Sequence, residues 1–316
     1  MIAISQPRVS FVIPAHNEQR FLARALRSAQ RQTVRDIEIV VVDDHSTDRT
    51  SMIVASAAAR DPRIRLIPNA GQGFVDAQNT GIRASRGSLI ARLDADDIAL
   101  PRRLERQLAE FDANSALVAV GTWGRRINEL GMRVSRLRTG PVGSEGYRQA
   151  MANDWPINLT HSSVLYRRDT ALEVGGYNQD YYPADDHRLW SCMAQHGEVY
   201  ALPEILTLYR LRFTSMSVTH AEGMALQVTR AMRERKQLLT VPSGPAAFGS
   251  GPAVRVGDND DDFDVRRQQW AQLAHARRRL ARALANGRLP TAVRVARAEG
   301  LDISELRRIM RRARRG

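Results

Sequence analysis

The chain has 316 residues, 43% of them hydrophobic and 26% charged. That balance excludes a disordered or collagen-like polymer and suits one or two globular domains, large enough to bury a core without disulfides or structural metals. The net charge of +13 is concentrated: positions 266–316 hold 15 Arg against three acids, whereas residues 1–265 carry 32 basic and 31 acidic side chains. Cys192 is the only cysteine, so no intramolecular disulfide can form, in keeping with a reducing compartment. No apolar run approaches the ~20 residues of a membrane-spanning helix. Met1–Pro7 lacks the charged-then-apolar pattern of a secretory leader, so the expected location is cytoplasmic.

In chain order, strand and helix patterns alternate. Val9–Pro14 is an apolar run, and Glu18–Gln32 places Phe21, Leu22, Ala25, Leu26 and Ala29 at helical spacing. Ile37–Val42 reads as a strand closed by Asp43 and Asp44. Asp48–Arg60 then reads as a helix, Ile64–Pro68 as a strand, Asp76–Ser85 as a helix and Ser88–Leu93 as a strand, with a further helix starting near Pro101. This alternation predicts parallel strands joined by crossover helices. Ligands of open α/β sheets bind beyond the carboxyl ends of the strands. His16–Glu18, Asp43–Asp44 and Asp94–Asp97 are therefore expected to converge on one crevice. Further on, Ala116–Trp123 and Ser162–Tyr166 read as strands, Asp186–Gln195 as a helix, Val199–Leu211 as strand-rich and Ala221–Leu239 as a helix. Val241–Asp264, with Pro-Ser-Gly-Pro, Gly-Ser-Gly-Pro and an acidic cluster, reads as a linker. Its acids do not fit a calcium loop, because Phe263 and Gln269 stand where Gly and Glu are needed. Helical patterns resume at Val265–Asn286, Thr291–Ala298 and Ser304–Arg315.

The strongest local signal is Leu93-Asp94-Ala95-Asp96-Asp97. Carboxylates this close repel unless a cation or hydrogen-bond donors offset them, and aspartates at a strand end suit a hard divalent ion that also bridges phosphates. Taken alone, the same residues read as an Asp-rich turn before a helix. Val42–Asp48 and Ile13–Glu18 likewise read, alone, as turns with helix caps.

The ordered set carries more than its parts. Val9–Glu18 (VSFVIPAHNE), Val40–Thr50 (VVVDDHSTDRT), Asn79-Thr80-Gly81-Ile82, Leu93–Asp97 (LDADD), His161–Arg168 (HSSVLYRR), Gly175-Gly176-Tyr177, Ala184–Trp190 (ADDHRLW) and Tyr209-Arg210 follow in sequence. Together they resemble glycosyltransferase family 2, the inverting nucleotide-sugar transferases of the GT-A fold, over roughly residues 8–218. The resemblance implies an α/β chain: an open mixed sheet flanked by helices, with a Rossmann-like nucleotide-binding half, and here a C-terminal Arg-rich helical extension. With the compositional break at 241–264, the chain divides into a transferase domain at 1–240, a linker at 241–264 and a basic tail at 265–316.

The resemblance also implies roles. Pro14, Ala15 and Glu18 fall on the segment that contacts the nucleotide, and Asp44 on the position that binds the base. Asp94 falls on the ribose and metal side, and Asp96 on the ligand of Mn²⁺ or Mg²⁺. Asn79 belongs to the donor-side Asn-x-Gly element. Asp186, preceded by Asp185, falls on the catalytic base. A base is required because the acceptor hydroxyl must lose its proton as it attacks the anomeric carbon, and the adjacent Asp185 raises the pKa of its neighbour. Without the resemblance, both acids read equally as first-turn residues favoured by the helix dipole. Trp190 is read as packing beneath the site, and His161 either as lining the acceptor side or as a satisfied structural histidine.

Two departures stand out. Gln78 occupies a position where many members have Arg, and Arg212 one where many have His. Arg cannot ligate a metal, but it can clamp a phosphate bidentately. The implied activity is transfer of a sugar from a nucleotide-sugar donor, UDP by default, to a hydroxyl on a glycan or lipid-linked acceptor. An inactive nucleotide-sugar-binding homologue and a nucleic-acid-binding protein are the rivals. The tail argues against nucleic acid, with Trp270 its only aromatic residue. Its Leu273, Leu280 and Leu284, then Ile303, Leu306, Ile309 and Met310, have helical spacing opposite arginines. That pattern fits packing on the domain, self-association, or peripheral contact with the inner face of an anionic membrane.

Overall fold

A computed structural model describes residues 6–212 and 221–238. Strands β1 (Val9–Ala15), β2 (Ile37–Asp43), β3 (Ile64–Pro68) and β4 (Leu89–Arg92) are parallel, and α1 (Leu22–Gln30), α2 (Thr50–Ala58) and α3 (Phe74–Ala84) connect them. Val9 pairs with both Ile37 and Leu89, which puts β1 between β2 and β4. β1, β2 and β4 are almost wholly buried and mainly apolar, as suits strands covered on both faces, whereas β3 at the sheet edge is only part-buried.

The second half contributes β5 (Ile98–Ala99), α4 (Arg103–Ala113), β6 (Leu117–Ile127), β7 (Arg133–Leu137), α5 (Gly143–Ala152), β8 (Leu165–Arg167), α6 (Arg168–Glu173), α7 (Asp185–Met193), β9 (Glu198–Arg210) and α8 (Ala221–Leu238). The sheet order is β3-β2-β1-β4-β8-β6-β9-β5, with β7 hairpinned onto β6. β8 runs antiparallel to β4 and β6, and β9 runs parallel to β6. The carboxyl ends of β1, β2, β4 and β9 therefore share one edge, and the expected crevice residues gather there.

Alternate strand residues face opposite sides. Phe11, Ile13, Ile39 and Val41 pack with α1, α2 and α4 in one core. Val12, Ile90 and Tyr166 pack with α3, α6 and α7 in the other. Gly81 brings α3 close to the sheet, since a Cβ there would overlap Val12 Cγ1. Among the described residues, no helix is long and apolar enough to cross a bilayer.

Several expectations are corrected. The helix expected from Glu18 starts at Leu22, because Asn17 adopts a left-handed φ of 54° and residues 17–19 are tied to the β2 loop. Ser162–Tyr166 is not a continuous strand. His161–Ser163 forms a 3₁₀ turn whose serine hydroxyls accept from the backbone N–H groups of Asp94 and Thr122, and β8 begins at Leu165. β6 runs on to Ile127, and β9 is one strand of 13 residues. The linker 241–264 and the helices expected at 265–286, 291–298 and 304–315 lie outside the described residues.

The turn beneath the Asp-rich loop rests on one buried cation. Arg103 of α4 is 0% exposed and donates to the carbonyls of Ser162, Arg92 and Val164 and to Gln107 Oε1. Burial lowers its pKa to about 9. An unsatisfied buried acceptor costs about 1–3 kcal/mol. Arg103→Leu takes this donor from the Ser162 and Arg92 carbonyls, while Val164 O keeps the Arg92 N–H, so a loss of about 2 kcal/mol or more is expected. A urea midpoint unchanged from wild type would show that these bonds carry no net stability.

Candidate active site

Two loops, after β1 and after β2, lie side by side, and side chains stitch them together. Asn17 Oδ1 accepts from the N–H groups of Thr47 and Asp48, the Asn17 N–H donates to Ser46 Oγ, and the Glu18 N–H donates to Thr50 Oγ1 at 2.8 Å. Asp48 Oδ1 accepts from the Thr50 N–H at 2.8 Å, a local turn bond just before α2. Much of the polar character of the HNE and DDHSTD segments is thus spent on loop architecture. Pro14 and Ala15 are buried in β1, and Ala15 O accepts from the Asp44 N–H at 2.8 Å. The Asp44 carboxylate is oriented by Asn69 Nδ2 at 2.8 Å and by the Gly73 N–H at 3.1 Å.

The acidic centre lies between β1 and β4. Arg212, just past β9, donates through Nη1 to Glu18 Oε1 at 2.5 Å and to Asp96 Oδ2 at 3.2 Å. Phe21 supports it: the guanidinium carbons of Arg210 and Arg212 lie 4.7 and 5.1 Å from the ring centroid. Burial raises the pKa of Glu18. Burial, reinforced by Asp94 and Glu18, raises that of Asp96 to about 6. Glu18 Oε2 is buried without a hydrogen-bond partner. Arg212 and Arg92 each pair with these carboxylates, and the clustered carboxylate oxygens suit a hard divalent cation. Asp94 and Asp96 are the residues that would hold one. Among the described residues, no group of three or more His, Cys, Asp or Glu side chains closes around an ion.

Asp97 has a different job from its neighbours. It is 1% exposed, and its Oδ1 accepts from the Arg210 N–H at 2.7 Å. Arg210 Nε in turn donates to Asp96 O at 2.7 Å. Asp97 therefore locks the end of β9 against the Asp-rich loop and brings Arg212 to the crevice.

Asp185 and Asp186 open α7. Asp186 is partly buried, and its Oδ1 accepts from the His187 N–H at 2.8 Å. Burial, with repulsion from Asp94, raises its pKa to about 7, as suits a general base. Asp185 is 3% exposed and accepts from Gln78 Nε2 at 2.8 Å. Asn79 has another role: its Nδ2 donates to Tyr177 O and its Oδ1 accepts from the Tyr177 N–H, at 2.8 and 2.9 Å. Both amide atoms strap α3 to the Gly175–Tyr177 turn, so its side chain has a structural partner at each end. His161 bonds Tyr177 Oη through Nε2 at 2.8 Å and packs edge-on against Phe74, Tyr177 and Trp190; burial pushes its pKa well down. It is a satisfied structural histidine. Trp190 is 0% exposed and packs edge-on against Tyr166 and His161.

Residue-by-residue reading passed over Arg92. This residue is 0% exposed at the end of β4 and donates to Asp94 Oδ1 at 2.7 Å, Leu93 O at 2.5 Å and Gln78 Oε1 at 3.2 Å. Its only visible signal was an arginine inside an otherwise apolar strand, where burial demands partners.

The comparisons agree with this architecture. The model of glycosyl transferase family 2 matches residues 10–175. An uncharacterized glycosyltransferase of Haemophilus influenzae is 31% identical over 216 residues, 65% of this chain and 66% of that protein. A chondroitin synthase of Escherichia coli is 33% identical over 200 residues, 60% of this chain but 27% of that larger protein. The chain thus spans less than two thirds of either relative. A solved mannosyltransferase from Pyrobaculum calidifontis, in complex with GDP-Man and Mn²⁺, superposes with a TM-score of 0.58 at 20% identity, covering 93% of this chain and 80% of that one. The likeness shows the GT-A fold. With the family model matching more than half of its length, and with its carboxylates arrayed along the carboxyl edge of this sheet, the chain belongs to glycosyl transferase family 2.

Proposed function

We propose that the protein is a metal-dependent, inverting glycosyltransferase that moves a sugar from a nucleotide-sugar donor, a UDP-sugar by default, to a hydroxyl of a glycan or lipid-linked acceptor. The observation that carries this reading is the opposition of two acidic groups across one crevice. Glu18, Asp94 and Asp96 stand on one side and Asp185 and Asp186 on the other, close enough for Asp94 to raise the pKa of Asp186. The family relationship to a chondroitin synthase supports a sugar acceptor in polysaccharide synthesis. The fold shared with a mannosyltransferase complexed with GDP-Man and Mn²⁺ supports an activated donor and a divalent ion.

In this reading Pro14, Ala15 and Glu18 border the nucleotide, and Asp44, held by Asn69 and Gly73, faces the base. Asp94 and Asp96 hold Mn²⁺ or Mg²⁺, which when bound acts as a Lewis acid towards the diphosphate. Arg212 is placed to clamp the diphosphate. Asp186 takes the proton of the acceptor hydroxyl as that oxygen bonds to the anomeric carbon. The bond from that carbon to the diphosphate oxygen breaks, the nucleoside diphosphate leaves, and the configuration inverts.

The test is nucleoside diphosphate release from UDP-sugars and GDP-mannose, with and without Mn²⁺. Release that requires donor, ion and acceptor is expected. Donor binding without release in any combination would instead identify an inactive binding homologue.

A further inference from the structure

We infer that Gln78, together with Arg92, is a strut that fixes the distance between the donor-side carboxylates and the acid pair, making Gln78 a positioning residue for the transfer. The inference rests on the assignment of Asp186 as base. Gln78 and Arg92 are each 0% exposed, and Asp185 is 3% exposed. The Arg92 guanidinium donates through Nη2 to Asp94 Oδ1 at 2.7 Å and through Nε to Gln78 Oε1 at 3.2 Å. The other end of the same amide, Nε2, donates to Asp185 Oδ2 at 2.8 Å. One unbroken chain of bonds thus runs from the Asp-rich loop after β4, through the side of α3, to the first turn of α7. Phe74 packs against the Arg92 guanidinium, its centroid 5.4 Å from the guanidinium carbon, and keeps water from the cation.

The amide suits this place because it accepts at one end and donates at the other. An arginine at position 78 would meet Arg92 as a like charge, and a carboxylate would meet Asp185 as one. An apolar side chain would leave a buried guanidinium N–H and a buried carboxylate oxygen without partners. Inverting transfer needs the attacking oxygen opposite the leaving diphosphate. The span between Asp186 and the Asp94 side is therefore the dimension that must hold, and a misplacement of about 1 Å costs about 10²-fold in rate.

The experiment compares Gln78→Met, similar in volume but without either bond, with Asp186→Asn and the double variant. Each is measured in the full chain for donor affinity, kcat and acceptor KM. Gln78→Met is expected to lower kcat by about 10–100-fold with donor affinity unchanged, and to add nothing in the Asp186→Asn background. Gln78→Glu, which can still accept from Arg92 but not donate to Asp185, is the second variant and should behave like Gln78→Met. Wild-type kcat in both Gln78 variants, or a loss that simply multiplies with that of Asp186→Asn, overturns the strut and leaves the base intact. A loss confined to donor affinity overturns it too, since Gln78 would then act on the donor itself. An Asp186→Asn variant that turns over normally removes the base assignment first, and the strut falls with it.

Discussion

Asp186→Asn is expected to lower kcat by about 10²–10⁴-fold, the usual cost of removing a general base. Asparagine keeps the shape of the side chain, and its Oδ1 can still accept from the His187 N–H that now orients Asp186 Oδ1. The first turn of α7 should survive, and with it the packing of Trp190. Donor affinity should change little, because the charge removed lies on the acceptor side. The pH profile gives a second readout. Burial and the nearby Asp94 raise the Asp186 pKa to about 7. A base works only when deprotonated, so kcat/KM of the wild type should fall as pH drops through that value. The residual activity of the variant should lack this limb. A variant as fast as wild type, or one that loses nucleotide binding instead, would refute the assignment.

Asp96→Asn should abolish the gain in nucleotide affinity produced by Mn²⁺ and remove nearly all turnover. Asp96 sits in the most acidic part of the crevice, where burial and its neighbours already push its pKa to about 6. The folded protein holds that carboxylate at a cost, so a neutral amide should not weaken the fold. Arg212 would keep its bond to Glu18. The loss should therefore appear as a flat response of UDP affinity to added Mn²⁺, with an undiminished melting temperature. Mn²⁺ that still tightens UDP binding in this variant would move the ligand role elsewhere.

The first half of the fold was legible because its physics is local. Buried parallel strands are mainly apolar, so the runs of β1, β2 and β4 announced themselves, and Ile64–Pro68 was read to the residue. The second half was not, because tertiary contacts decide it. Among the described residues β7 is polar and pairs with β6, and α5 packs only Tyr147, Ala150 and Met151 on the core, so the apolar signal of each is weak or brief. β5 has two residues and exists because β9 pairs with it. Ser162 and Ser163 looked like strand residues until the Asp-rich loop claimed their hydroxyls. The site followed the same division. Asp94, Asp96 and Asp186 were visible as acids at element ends, whereas Gln78 and Arg92 acquire meaning only from partners far away in sequence. Asn79 shows the reverse: a motif residue whose side chain is committed to Tyr177.

The division of the core by the sheet bears on how such an enzyme can be altered. α3 and α7, which carry Gln78 and the acid pair, belong to one face, while α1, α2 and α4 pack on the other. Changes more than about 7–10 Å apart that share no partners add with little coupling. An engineer seeking a hardier catalyst can therefore redesign Val54 of α2, Ala25, Leu26 and Ala29 of α1 and Leu108 and Phe111 of α4 with little disturbance to the reaction centre. On the α3–α7 face even a conservative repacking is an edit to the chemistry. Lineages that drift towards new acceptors face the same asymmetry, and robustness gained on the first face is the reserve that lets them explore the second.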